Sequence, residues 1–371
     1  MAVDLIQLTA TLKDALLRDL GDEVELIFRY GSFLKNATHH YSDLDISYVP
    51  VHEATWHSIT VMVDDMLCDL YPIHWSRLES MANFENISST VLLNYQIVYQ
   101  RSEEAAARLR SLAEHLHTLQ QPAARAEMLK KAQTIFQNTG YPYYLLRQAV
   151  AQGHLLACWQ QSQQLLTTVL HCLAVCNQKC IDTRKLIQVL ALPKLPANFA
   201  ETVDQLTHAH EPTATLAACE QLLNTTRDLL LAEQRQAPDA PMTFAAAFGT
   251  GYPELKNALQ HVLLACERQD MFALQGSLLS LYQEISFALA RVGSGIAYSS
   301  FNSLAEYEQD LVALGFPALL PYVVTEDFTG LHQQCLLFDQ HLWQFLKEHS
   351  VTLNTFAKMD ELQNFLRTPR A

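Results

Sequence analysis

Two aspartates and a glycine-serine turn are the residues here whose types and spacing point to chemistry. The first run reads Tyr30-Gly31-Ser32-Phe33-Leu34-Lys35-Asn36 and the second Tyr41-Ser42-Asp43-Leu44-Asp45-Ile46-Ser47. If Leu44 to Tyr48 is extended, Asp43, Asp45 and Ser47 share one face and Leu44, Ile46 and Tyr48 the other, with the aspartate Cα atoms about 6.5–7 Å apart. Such a pair suits Mg²⁺, a hard cation taken by one or two carboxylates plus substrate phosphates. Two such ions about 3.5–4 Å apart clamp an in-line phosphoryl displacement. Gly31 lets backbone approach a ligand closely, Ser32 offers a hydroxyl and an N–H at a helix start, and Lys35 adds a point charge within the next turn. Gly31, Ser32 and Lys35 are therefore the expected phosphate-binding residues.

The elements that must position these groups follow from periodicity. Val24, Leu26, Phe28 and Tyr30 alternate with Glu25, Ile27 and Arg29, the pattern of a half-buried strand ending at Gly31. Before it, Asp4 to Leu20 places Leu5, Leu8, Leu12, Leu16 and Leu17 on one side of a helix closed by Gly21. After the aspartates, Glu53 to Leu67 reads as a helix and Cys68-Asp69-Leu70-Tyr71-Pro72-Ile73 as a short strand whose proline puts it at an edge or a strand end. A short helix over 75–79, a strand from Val91 to Tyr99 and a helix from Glu103 to Leu116 complete the first domain, expected over residues 1–121. From Pro122 strand signals vanish. Leu155 to Cys180 is apolar all round and should run through a bundle. The linker-like stretch Gln234 to Pro241 separates a helical domain over 122–235 from a second over 236–371, with helices expected at Leu255–Glu267, Phe272–Arg291, Ser303–Leu314 and Thr329–Glu348. The expected class is α+β, a small mixed sheet followed by helical bundle units.

The Gly31-Ser32 turn followed by Asp43-Leu44-Asp45 resembles the signature of the nucleotidyltransferase superfamily typified by DNA polymerase beta. In that family a basic residue and a glycine commonly follow the turn; Lys35 and Asn36 stand there, asparagine tolerating positive φ better than most residues. The resemblance implies a third carboxylate on a neighbouring strand. Asp69 is its best candidate and would ligate metal and help take the acceptor proton, while Asp64 and Asp65 are rivals within the helical pattern. Asp43, Asp45 and Asp69 are thus the expected catalytic and metal-ligating set, with two Mg²⁺ ions and an NTP, ATP by preference, as co-substrate. More loosely, the turn Pro196-Ala197-Asn198-Phe199 and the helices after it resemble the C-terminal domain of kanamycin nucleotidyltransferase. That similarity implies a glutamate base from the helical domain, but 145–164 offers glutamine and arginine instead.

Composition bounds the partners. The 371 residues are 49% hydrophobic and carry a formal charge of −14; the pI near 5.5 opposes a nucleic-acid partner and favours a cationic one. No apolar run spans a membrane, no secretory signal is evident, and eight cysteines in no framework spacing fit a reducing compartment, so a cytoplasmic protein is expected. A homodimer is an admissible assembly. The expected activity is transfer of a nucleoside monophosphate to a hydroxyl of a small molecule, as in aminoglycoside-modifying, antibiotic-resistance enzymes. The alternatives are a regulator or antitoxin-type enzyme that nucleotidylates (AMPylates) a protein, and a non-catalytic nucleotide-binding protein. Cys172, Cys176 and Cys180, at helical spacing beside His171, read as packing rather than a metal site, because thiols stacked along one helix do not converge on an ion. His39 and His40 could reach an acceptor or metal, His208 and His210 fall on different helix faces, and Tyr141-Pro142-Tyr143-Tyr144 reads as an aromatic helix entry.

Overall fold

The computed structural model describes residues 4–31, 34, 43–52, 57–64, 66–236, 242–249, 251–293 and 311–367. It divides into two compact units, Met1–Glu233 and Gln234–Ala371. The class is α+β: a five-stranded mixed sheet lies in the first unit, and the rest of the chain is dominated by helices.

The first unit opens with α1 (Leu5–Leu20), started by Asp4, whose carboxylate accepts from the N–H groups of Ile6 and Gln7 at 2.9 and 3.2 Å. Gly21, at φ 49°, ends it. The strands are β1 (Val24–Tyr30), β2 (Leu44–Pro50), β3 (Ile59–Val63), β4 (Met66–Pro72) and β5 (Tyr95–Gln100), in the order β3-β4-β2-β1-β5. β2 and β4 run parallel and the other neighbours antiparallel. Leu12 and Leu16 of α1 pack with Val24, Ile27, Leu44, Ile46, Tyr48, Cys68 and Leu70 in one buried cluster. Because side chains alternate along a strand, burying Leu44, Ile46 and Tyr48 sends Asp45 and Ser47 to the opposite side.

Two expected elements differ. Glu53 to Leu67 is not a helix: β3 and the start of β4 occupy its described part, joined at Asp64, which takes φ 49° in the turn. Ile59-Thr60-Val61 and Val63 are stiff at χ1 and favour extended backbone. Val61, Met62 and Leu67 stay exposed, so the apolar residues of this stretch line no helical face at all. The strand expected from Val91 begins only at Tyr95, and Ser89–Leu92 forms a 3₁₀ turn.

Helix α2 (Trp75–Ala82) lies between β4 and β5, and α3 (Glu103–Leu119) follows β5; α3 is capped by the Ser102 hydroxyl and carries Glu103 and Glu104 at its N-terminal dipole. Then come α4 (Arg125–Gln137), α5 (Gly140–Gln152), α6 (Leu155–Cys176), α7 (Leu186–Leu190), α8 (Phe199–His208) and α9 (Pro212–Gln236). Leu165, Val169 and Leu173 of α6 are buried among Leu146, Phe199, Val203 and Leu222, so α6 runs through a bundle as its composition suggests. It stops at Cys176, leaving Cys180 beyond its end. The second unit contains α10 (Phe244–Phe248), α11 (Tyr252–Arg268), α12 (Met271–Gly293), α13 (Leu320–Val324), α14 (Phe328–Glu348) and α15 (Met359–Arg367). Leu259, Val262, Leu281, Phe338 and Leu342 share its core. Most of the helix expected at 303–314 lies outside the described residues.

Candidate active site

Strand register assembles the acidic face. Asp45 of β2 lies opposite Asp69 of the parallel neighbour β4, and opposite Tyr30 of β1 on its other side. Asp69 in turn lies opposite Thr60 of β3. Directly opposed residues project to the same face, so Tyr30, Asp45, Asp69 and Thr60 form one row across four strands spaced about 4.7–4.9 Å apart. The next row carries Ser47 and Tyr71, which are also register partners, and the Tyr30 and Tyr71 hydroxyls hydrogen-bond to each other. Asp43 is exposed immediately before β2. The structure therefore brings together the three aspartates read from the sequence.

Gly31 ends β1 at φ 93°, a left-handed conformation that favours glycine. It also sets a close approach: a Cβ there would sit 2.5 Å from Asp45 Oδ2, so any side chain at 31 would displace that carboxylate. The turn and the carboxylate are thus in contact through an absent atom. Ser32, Lys35, Asn36, His39 and His40 lie outside the described residues.

Crowding of negative charge shows in Asp45, whose carboxyl is pushed up to about 6, first by burial and then by the charge of Asp43, with Asp69 adding to it. Arg184 opposes that rise. After α6 the chain turns back, and Asp182 accepts from Arg184 Nε and Nη2 at 3.0 and 3.4 Å, fixing the guanidinium. So held, Arg184 stays protonated above its ordinary range, mainly through Asp182, with Asp43 and Asp45 contributing. Among the described residues none of the three site aspartates forms a salt bridge. Asp69 has a neutral partner instead, the Thr60 hydroxyl, which donates to its Oδ1 at 2.8 Å.

The chemistry of this donor set fits a hard divalent cation whose coordination is completed by substrate oxygens. Among the described residues no group of three His, Cys, Asp or Glu is gathered to hold an ion alone. Paired carboxylates supplemented by substrate phosphates are the usual Mg²⁺ arrangement, and burial, with the charges of Asp43 and Asp69 behind it, is what raises Asp45. Thr60, Tyr71 and Arg184 escape sequence reasoning, since each joins the site through non-local pairing; only the β-branched run around Thr60 marks its strand.

Solved structures include a likeness to a nucleotidyltransferase-like protein from Exiguobacterium sibiricum. It covers 76% of this chain and 90% of that one, at 13% identity and a TM-score of 0.38. No family model and no curated protein matches the sequence.

Cys172, His171 and Tyr143 serve packing. The Cys172 thiol is fully buried and donates to the Ala132 carbonyl at 3.3 Å. His171 Nε2 lies 3.0 Å from the Phe84 carbonyl, and burial holds the imidazole below its ordinary pKa, so the neutral ring donates. Tyr143 bonds Glu220 at 2.7 Å across the bundle, whereas Tyr141 and Tyr144 are exposed. A cavity of about 480 Å³ beside Trp159, Ser162, Gln163 and His210 is lined by none of the site aspartates. No helix among the described residues is long and apolar enough to cross a membrane.

Proposed function

We propose that the first unit is a magnesium-dependent nucleotidyltransferase that moves a nucleoside monophosphate from an NTP, ATP by preference, to a hydroxyl of a small molecule. The observation that carries this is the pairing of Asp45 with Asp69 on adjacent parallel strands, beside Asp43 and against the Gly31 turn.

Asp43 and Asp45 would hold the cations, and Asp69 would share one. Bound there, a pair of Mg²⁺ ions supplies charge neutralisation for the triphosphate and for the displacement. The N–H groups and hydroxyl of the Gly31-Ser32 turn would cradle the triphosphate tail, with Lys35 and Arg184 as its point charges. The acceptor oxygen attacks the α-phosphorus in line, the bond from that phosphorus to the bridging oxygen breaks, and pyrophosphate leaves. The acceptor proton passes to Asp69. A chain at −14 attracts cationic, hydroxyl-rich acceptors at long range, which makes aminoglycosides the first class to try.

The test is label transfer from each α-labelled NTP into a panel of aminoglycosides, neutral sugars and proteins. Transfer that requires Mg²⁺ and is abolished by Asp45→Asn is expected. The loss should exceed the roughly 10–100-fold seen when only an outer partner of a metal ligand is removed. Turnover retained by Asp45→Asn, or no labelled product with any NTP, overturns the proposal; labelling of a protein in place of the small molecules replaces the acceptor and keeps the chemistry.

A further inference from the structure

We propose that Thr60, on the edge strand β3, is a positioning residue that sets the orientation of the Asp69 carboxylate for metal binding. This rests on the nucleotidyltransferase reading of the same face. An ionised carboxylate only accepts hydrogen bonds, so in the 2.8 Å contact the Thr60 hydroxyl is the donor and Asp69 Oδ1 the acceptor. Thr60 and Asp45 flank Asp69 from opposite sides of one row. Tying Oδ1 to Thr60 keeps the other oxygen, Oδ2, out of that bond, for a cation shared with Asp45 across the row.

The choice of residue matters. A neutral donor orients the carboxylate without cancelling its charge, whereas a lysine or arginine at 60 would compete with the cation. Threonine is also β-branched, so its χ1 is restricted and the hydroxyl stays aimed at its partner. The contact is local to the strand pair and exposed to solvent, unlike the buried residues that hold the sheet together. Partners of this kind, hydrogen-bonded to a ligating carboxylate, typically change metal affinity or activity by about 10–100-fold when removed.

Thr60→Val keeps β-branching and approximate volume and removes the hydroxyl; Thr60→Ser keeps the hydroxyl and removes the methyl. Mn²⁺ is titrated calorimetrically into the full-length chain saturated with a non-hydrolysable NTP analogue, and transfer is assayed in parallel. Thr60→Val is expected to weaken Mn²⁺ binding and lower kcat, each by about 10-fold, while the NTP KM stays unchanged; Thr60→Ser should recover binding to within about threefold. Mn²⁺ binding by Thr60→Val equal to wild type overturns the proposal. Thr60→Ser as impaired as Thr60→Val overturns it too, because the hydroxyl would then be irrelevant. Asp45→Asn separates this from failure of the underlying reading: if that variant binds Mn²⁺ like wild type, the face holds no cation. If it loses the ion and Thr60→Val does not, only the role of Thr60 falls.

Discussion

The first unit treats acidic side chains in two opposite ways. In the bundle, Glu233 is buried, and both Arg125 and Lys194 pair with it. Arg125 also donates to the Cys176 carbonyl, so the pair joins the start of α4 to the ends of α6 and α9. On the sheet, Asp43, Asp45 and Asp69 face one another without a salt bridge to any described cation, and Arg184 acts on two of them only through space. An acid that serves packing is surrounded by counter-charge. The sheet acids lack that counter-charge, at a cost in stability that a cation would remove under the proposed function.

Breaking the compensated acid should give the largest effect on folding. Glu233→Ala strands two cations in a partly buried setting, which costs about 3 kcal/mol. At about 2–4 °C per kcal/mol for a unit of this size, the melting temperature should drop by roughly 6–12 °C, as calorimetry would show. A change below about 2 °C would mean that Arg125 and Lys194 reach water easily and that the contrast with the sheet is false.

Neutralising an uncompensated acid should do the reverse. Asp45 titrates at about 6 in the fold, above its unfolded value. Its contribution to stability is therefore fully present below about pH 4 and is lost as pH rises through about 6. Asp45→Asn, melted without divalent ions at pH 7.5, should be more stable than wild type by on the order of 1 kcal/mol, after discounting for partial exposure, and the gain should shrink towards pH 4. Equal or lower stability at pH 7.5 would show that the carboxylate is already satisfied.

The smallest effect belongs to Arg184, whose side chain is exposed. Arg184→Gln should raise the NTP KM by roughly two- to fivefold, the scale of one solvent-screened charge, and the difference should fade with added salt. A change in acceptor KM instead would move Arg184 to the other substrate.

Much of the sheet face is legible in the sequence because its signals are local. Alternation from Val24 to Tyr30 and from Leu44 onward is enough to read β1 and β2, and the side opposite Leu44, Ile46 and Tyr48 is then fixed for Asp45. Glu53 to Leu67 misleads for a physical reason. An edge hairpin with Val61, Met62 and Leu67 exposed has no strict inside-outside pattern, so its apolar residues mimic one helical face while its β-branched residues argue for a strand. The pairing of Asp45 with Asp69 needs the parallel register, and Thr60 and Arg184 reach the site from segments about 15 and 140 residues away in the chain, a separation that periodicity does not see.

The Gly31 turn has a consequence for how this protein can vary. Any larger residue at position 31 would drive its Cβ into the Asp45 carboxylate, and would also be strained at φ 93°. Positions 31 and 45 therefore form one heritable unit, in which a change at the first alters what the second can do. In a saturation library, substitutions at Gly31 should behave as hidden Asp45 mutants, and their effects should fall far short of additive when the two are combined.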